Sequence, residues 1–157
     1  MRPMTPEEFG DFRRDGRAVW AEELARSGGL GRGPAHEKAA DDYESLIPEE
    51  NGPPGHYLFV LEDESSRPVG TLWYAERARG DEKIAYLYDL RVAETERASG
   101  VGRAAMELLE EEARLRGCGA LELNVFGDNQ AARGLYRSVG YVETFVGMRK
   151  ALGPPGS

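Results

Sequence analysis

The chain has 157 residues, 40% of them hydrophobic and 31% charged, with a formal net charge of -8 at pH 7. One domain with a real core fits that length, the chain is too apolar for disorder, and its acidity excludes a general binder of nucleic acid or of an anionic membrane. The single cysteine, Cys118, excludes an internal disulfide and a cysteine-built metal site, and it suits a reducing, cytoplasmic setting.

The N-terminal stretch carries no apolar leader, and no run approaches membrane-spanning length. Arg2 to Met4 reads as a short edge strand. Thr5-Pro6-Glu7-Glu8 reads as a helix start, with threonine as cap, proline in the first turn and Glu8 positioned for a capping box. Phe9, Phe12, Val19, Trp20 and Leu24 continue at helical spacing, and Gly16 weakens the middle. The run Ser27 to Pro34 breaks this helix. A second helix covers Ala35 to Leu46, and the sequence from Glu49 onward stops it.

The pattern then changes to strands. His56 to Asp63 and Val69 to Glu76 flank the turn SSRP, and Lys83 to Val92 follows the link RARGD. Met106, Leu108, Leu109, Ala113 and Leu115 mark a helix that stops at Gly117. Gly119 to Phe126 is a strand, Asn129 to Val139 a helix, and Tyr141 to Ala151 one or two final strands. The fold class is α/β or α+β with a mixed sheet, in which the crossover from Val92 to Gly119 joins parallel strands. One domain over residues 1–152 and a loose tail at 153–157 are expected.

Ser99-Gly100-Val101-Gly102 falls between a strand and a helix. A helix N-terminus offers free N–H groups and partial positive charge, and glycine lets the backbone come close to a ligand. That suits a phosphate or pyrophosphate, with Arg97 and Arg103 adding charge. The stretch is neither a dinucleotide fingerprint nor a Walker loop, because Ala105 stands where a third glycine might and no Lys-Ser/Thr follows. A tight turn with no ligand explains the glycines equally well.

Downstream lies Asn129, Ala132, Leu135, Tyr136, Gly140 and Tyr141 in the frame N-x-x-A-x-x-L-Y-x-x-x-G-Y. Together with Arg97-x-x-Gly100-x-Gly102, this resembles the GNAT superfamily of acyl-CoA-dependent N-acetyltransferases over most of the chain. The resemblance implies a mixed sheet of about six to seven strands with four helices, splayed where coenzyme A inserts. It implies acetyl-CoA as co-substrate with no metal. The pyrophosphate would lie on Arg97, Ala98, Ser99, Gly100, Val101, Gly102 and Arg103. The pantetheine arm would pair near Leu90, Arg91 and Val92, with Asn129 and Ala132 also at the coenzyme. Tyr136 matches the family's general acid for the departing thiolate.

Asp89 interrupts the apolar strand YLYDLRV, where a carboxylate is expensive unless paired or functional, so it is the first candidate for the base, direct or through water, or for the anchor of a substrate ammonium. A salt bridge with Arg91 accounts for it equally well. Glu76 and Glu122 are weaker candidates. Simple alternation puts Tyr86, Tyr88 and Leu90 on one face and Leu87, Asp89 and Arg91 on the other, unless a bulge shifts them. Trp20, Trp73, Tyr88 and Asn124 are candidates for the acceptor pocket. His36 and His56 read as isolated and exposed, Cys118 as core. The implied partner is a small-molecule or peptide amine, without nucleic acid or membrane, and a homodimer is compatible. The competing readings are a non-catalytic acyl-CoA-binding regulator of the same fold and an acidic interaction domain.

Overall fold

The computed structural model describes residues 1–27, 29–48 and 52–154. Its elements are β1 (Arg2–Pro3), α1 (Pro6–Arg26), α2 (Arg32–Leu46), β2 (His56–Glu62), β3 (Pro68–Arg79), β4 (Glu82–Val92), α3 (Val101–Leu115), β5 (Ala120–Leu123) and α4 (Gln130–Ser138), with one 3₁₀ turn at Glu94–Glu96. The strands form a single five-stranded sheet in sequential order. β1 to β4 are antiparallel, and β4 and β5 are parallel, joined through α3. This is the expected mixed α+β architecture with four helices, but with fewer strands.

The start of α1 is fixed by local chemistry. Glu8 N–H donates to Thr5 Oγ1 at 3.2 Å and Thr5 N–H to Glu8 Oε2 at 2.8 Å, closing the capping box. Arg2 donates to both Glu8 oxygens at 2.8 Å and to Glu62 at 2.7 Å, so β1 ties the helix start to β2. The same arginine holds the Glu8 carboxyl down at about 2.

The sheet has a core on each face. Against one, α3 supplies Ala105, Met106, Leu109 and Ala113 to Leu72, Tyr74, Ala85 and Leu87. Against the other, Phe9 and Phe12 of α1 and Tyr43 of α2 surround Trp73. Leu72 and Tyr74 therefore face α3 while Trp73 faces α1, as period-two alternation requires. Gly16 is not merely a weak point in α1. A Cβ there would collide with the Tyr43 hydroxyl and the Arg91 guanidinium, so glycine is what lets this helix pass so close. Leu108 and Leu115, counted above in the helical pattern of α3, stand 40% and 85% exposed.

Three boundaries differ from expectation. β3 runs on through Arg77 to Arg79, because Gly80 (φ +61°) and Asp81 alone turn the hairpin and Arg79 pairs Glu82. β5 ends at Leu123, because β4 pairs with it only from Ile84 to Leu87. The expected strands at Tyr141 to Ala151 do not form, because this segment pairs with no strand among the described residues. Part of the expected stop at Glu49 and most of the expected loose tail lie outside the described residues.

Candidate active site

The site is built where β4 leaves β5. Pairing with β3 continues from Asp89 through Val92, but pairing with β5 stops at Leu87. Trp73 pairs Asp89 and Tyr74 pairs Leu87, so Tyr88 is an inserted residue, a β-bulge. The bulge corrects simple alternation. Leu87 and Leu90 both pack on the α3 side, while Tyr88 packs with Trp73 on the α1 side. Arg91 also lies on the α1 side, its guanidinium 4.5 Å from the Phe12 ring centre, and it donates to Asp89 Oδ2 at 2.8 Å. Beyond the bulge the backbone is orderly. Ala93 N–H donates to Val69 O at 2.7 Å, so by alternation the backbone groups of Arg91 face β3 and those of Leu90 and Val92 face the open side.

The glycine loop closes one end of this gap. Ala98 (φ +62°) and Gly100 (φ +89°) both adopt left-handed backbone in the four residues before α3. Alternation of that kind curves successive N–H groups into a concavity suited to an anion. Gly100 caps α3 without any side-chain acceptor, and the first helical N–H to find a backbone acceptor is that of Ala104, on Gly100 O at 3.0 Å. The N–H groups of Val101, Gly102 and Arg103 therefore have no intrahelical partner. Gly102 has a packing reason as well, since a Cβ there would stand 3.0 Å from Leu135 of α4. Arg97 and Arg103 are exposed and join no ion pair among the described residues. In a chain this acidic, two unpaired arginines beside open N–H groups form a local positive site.

The third part is α4. Asn129 caps it, its Oδ1 accepting from Ala132 N–H at 3.1 Å, so the Ala132 amide is already engaged. Tyr136 lies two turns on, half-buried against the α3-side core. Burial pushes its hydroxyl up to about 12, with the negative charges of Asp89 and Glu23 adding to the effect. Asp89 itself is raised by burial, against the pull of Arg91. Glu23 is raised by burial and by Asp89. Glu23 of α1, Asp89 of β4 and Tyr136 of α4 thus share one poorly solvated locality.

Glu23 was not singled out from sequence, because an acidic residue near the end of an amphipathic helix looks like solvated surface. It also lines a groove of about 740 Å³ between α1 and α2, with Glu22, Arg26, Leu30, Arg32 and His36. That groove lies away from the glycine loop and meets the charge cluster only at Glu23.

The aromatic candidates separate. Trp73 is only 3% exposed; it stacks on Tyr88 with ring centres 4.4 Å apart, and its Nε1 donates to His56 Nδ1 at 3.0 Å. It has no surface of its own to offer a substrate and instead backs Tyr88. His56 is not isolated, as expected above, but stacked on Tyr88 at 5.6 Å. Arg77 lies over the rings of both Tyr86 and Tyr88. Trp20 donates to Asp42 at 2.8 Å and stacks on Phe126, which ties α1 to α2 and to the loop after β5. Asn124 is exposed just past β5. Glu76 and Glu122 are held in ion pairs with Lys83 and Arg79, away from this cluster. Among the described residues, no group of three or more His, Cys, Asp or Glu could hold a metal ion.

Residues 18–141, from within α1 to just past the end of α4, match the Acetyltransferase (GNAT) family. The chain is 32% identical to the uncharacterized N-acetyltransferases YdgE and YycN of Bacillus subtilis, over 97% of this chain and 97% of each relative. The crystal structure of YycN superposes with a TM-score of 0.90, covering 98% of both chains. A Pyrococcus furiosus structure, 28% identical, matches 93% of this chain and 95% of its own with a TM-score of 0.71. A bulged fourth strand that parts from the fifth, an open glycine loop at the start of α3 and this breadth of similarity lead to one conclusion: the chain belongs to the GNAT acetyltransferase family.

Proposed function

We propose that this protein transfers the acetyl group of acetyl-CoA to an amine. The observation that carries the reading is the gap itself. Free backbone groups at Leu90 and Val92 open between the N-terminus of α3 on one side and Tyr136 with two carboxylates on the other. The residues present fit the coenzyme. The N–H groups of the loop from Ala98 to Arg103, with Arg97 and Arg103, suit a pyrophosphate. The open edge of β4 suits an extended amide-bearing arm such as pantetheine, by the logic of strand addition. Acetyl-CoA supplies an activated thioester.

The chain's own groups divide the remaining work. An N–H of Leu90 or Val92 is preorganised to stabilise an oxyanion. An attacking amine must be neutral, and Asp89 or Glu23 takes its proton. Their raised affinity for a proton, caused by burial, favours that role over the ordinary carboxylate state. Tyr136, kept protonated, donates to the leaving thiolate. The acidic cluster attracts a cationic acceptor before it is deprotonated, and the ring face of Tyr88 offers an apolar wall. This amounts to direct transfer through a tetrahedral intermediate.

The test is thiol release from acetyl-CoA across a panel of amines, run beside a thermal shift with acetyl-CoA. Turnover with an amine supports the reading. A shift without turnover on any amine favours a coenzyme-binding regulator. The absence of any shift at millimolar acetyl-CoA overturns the assignment of the glycine loop.

A further inference from the structure

Among the described residues three arginines lie over aromatic rings, and one of them differs from the other two. Arg91, 4.5 Å from the Phe12 ring centre, donates to Asp89 at 2.8 Å. Arg116, 3.8 Å from the Tyr57 ring centre, donates to Glu112 at 2.7 Å. Arg77 stands 4.3 Å from the ring centre of Tyr86 and 5.3 Å from that of Tyr88. Yet among the described residues its guanidinium donates no hydrogen bond and joins no ion pair. The carboxylates at neighbouring strand positions are engaged elsewhere, Glu122 by Arg79 and Glu76 by Lys83.

A guanidinium laid on two rings is fixed in place but keeps the donors along its edge, a fork that matches a carboxylate. Much of its rotamer freedom is already lost to the rings, so gripping an anion there costs less than at a mobile side chain. Arg77 is exposed, so a solute reaches it, while the rings beneath it are half-buried. Its charge also reaches inward, since after burial it is the second cause that holds the His56 imidazole below its ordinary value. The place of this cation relative to the gap gives it a use. Trp73, Ala75 and Arg77 alternate onto the α1 side of the sheet, where Tyr88 also packs. The residue after Tyr88 is Asp89, whose charge is felt, after burial, by the Tyr43 hydroxyl of α2 on that same side. Arg77 and Asp89 therefore bracket Tyr88 on one face, with an unpaired cation at one end and a proton acceptor at the other.

We propose that Arg77 binds a carboxylate carried by the acceptor, so that the amine acetylated is that of an amino acid or short peptide rather than of a polyamine. The inference rests on the acetyl-transfer reading above and adds the second charge of the acceptor. The amine end lies toward Asp89 and Glu23, the carboxylate toward Arg77, and the chain between them along Tyr88. A polyamine would meet like charge at Arg77. The covalent step is unchanged. The amine nitrogen bonds to the acetyl carbon as the thioester C–S bond breaks, the amine proton passes to a carboxylate, and the thiolate takes a proton from Tyr136.

The experiment offers glycine, glycylglycine, γ-aminobutyrate and ε-aminocaproate as acceptors with acetyl-CoA, each beside its primary amide. For at least one pair, kcat/KM of the acid should exceed that of the amide by about tenfold or more, with the difference carried by KM. In Arg77→Gln that ratio should fall to within about twofold of unity, and Arg77→Lys should restore part of it, which the mere loss of a ring contact would not explain. If Arg77→Gln fails to fold, salt decides on the wild type alone: from about 0.05 to about 0.5 M the ratio should fall several-fold. Equal use of acid and amide by the wild type overturns the proposal while leaving acetyl transfer standing, and so does a preference that survives Arg77→Gln. If no amine is turned over, acetyl transfer is the reading that fails, and calorimetric titration of ε-aminocaproate, with and without coenzyme A, decides the site. Saturable binding abolished by Arg77→Gln then upholds it, and no binding overturns it.

Discussion

Tyr136 and His56 show how burial changes what a single side chain can do. Tyr136 is kept protonated by its surroundings, which makes it a poor base and a standing proton donor. Tyr136→Phe should lower kcat by about 10²-fold or more while leaving acetyl-CoA affinity within about twofold, the signature of a group that acts in the transition state. Steady-state kinetics beside a coenzyme titration separates the two effects. His56 is shifted the other way, its imidazole lowered by burial and then by Arg77, and its Nδ1 is already an acceptor for Trp73. The unfolded chain therefore takes up its proton first as pH falls, at the ordinary value of about 6.5. The stability that neutral His56 contributes is complete above that value and is lost as pH falls through its lower folded-state value. Melting temperature should drop over that interval in the wild type and drop less in His56→Gln.

At the scale of elements, the close crossing of α1 over α2 and β4 depends on Gly16. Gly16→Ala would gain intrinsic helix propensity of ~1 kcal/mol in an exposed helix. Here its Cβ meets Tyr43 and Arg91, so a net loss of about 1–3 kcal/mol is expected, read from urea unfolding. This case marks the limit of reading a sequence. Glycine in a helix looks like weakness until the neighbouring element is known. The capping box at Thr5, the glycine loop and the Asn129 to Tyr136 helix were legible because each is written in consecutive residues whose geometry is local. The Tyr88 bulge, the pairing of His56 with Trp73 and the approach of Glu23 to Asp89 were not, since each depends on which residue of a distant element arrives opposite. Strand propensity at Tyr141 to Ala151 predicts strands, but propensity names no partner.

For the whole molecule, the proposed coenzyme binding sets local charge against global charge. A body of net charge -8 repels a polyphosphate, and the attraction rests on a few groups at one helix end. Arg97 and Arg103 join no ion pair among the described residues, so replacing both by alanine should leave stability within about ±0.5 kcal/mol. Acetyl-CoA affinity should nevertheless fall roughly 10–100-fold, each tenfold step being about 1.4 kcal/mol. Salt then distinguishes the terms. In the double variant mostly repulsion is left to screen, so affinity should rise with ionic strength, as calorimetry at two salt concentrations would show.

The stack of Trp73 on Tyr88 has an optical consequence. The chain has two tryptophans, and Trp20 sits apart on α1 beside Phe126. Trp20→Phe leaves a single indole emitter, placed one residue-pair from the bulge and hydrogen-bonded to an imidazole. Its emission maximum and lifetime then report on how Tyr88 of β4, Phe12 of α1 and Tyr43 of α2 pack around it, so that a shift of the bulge is read in fluorescence without an added dye.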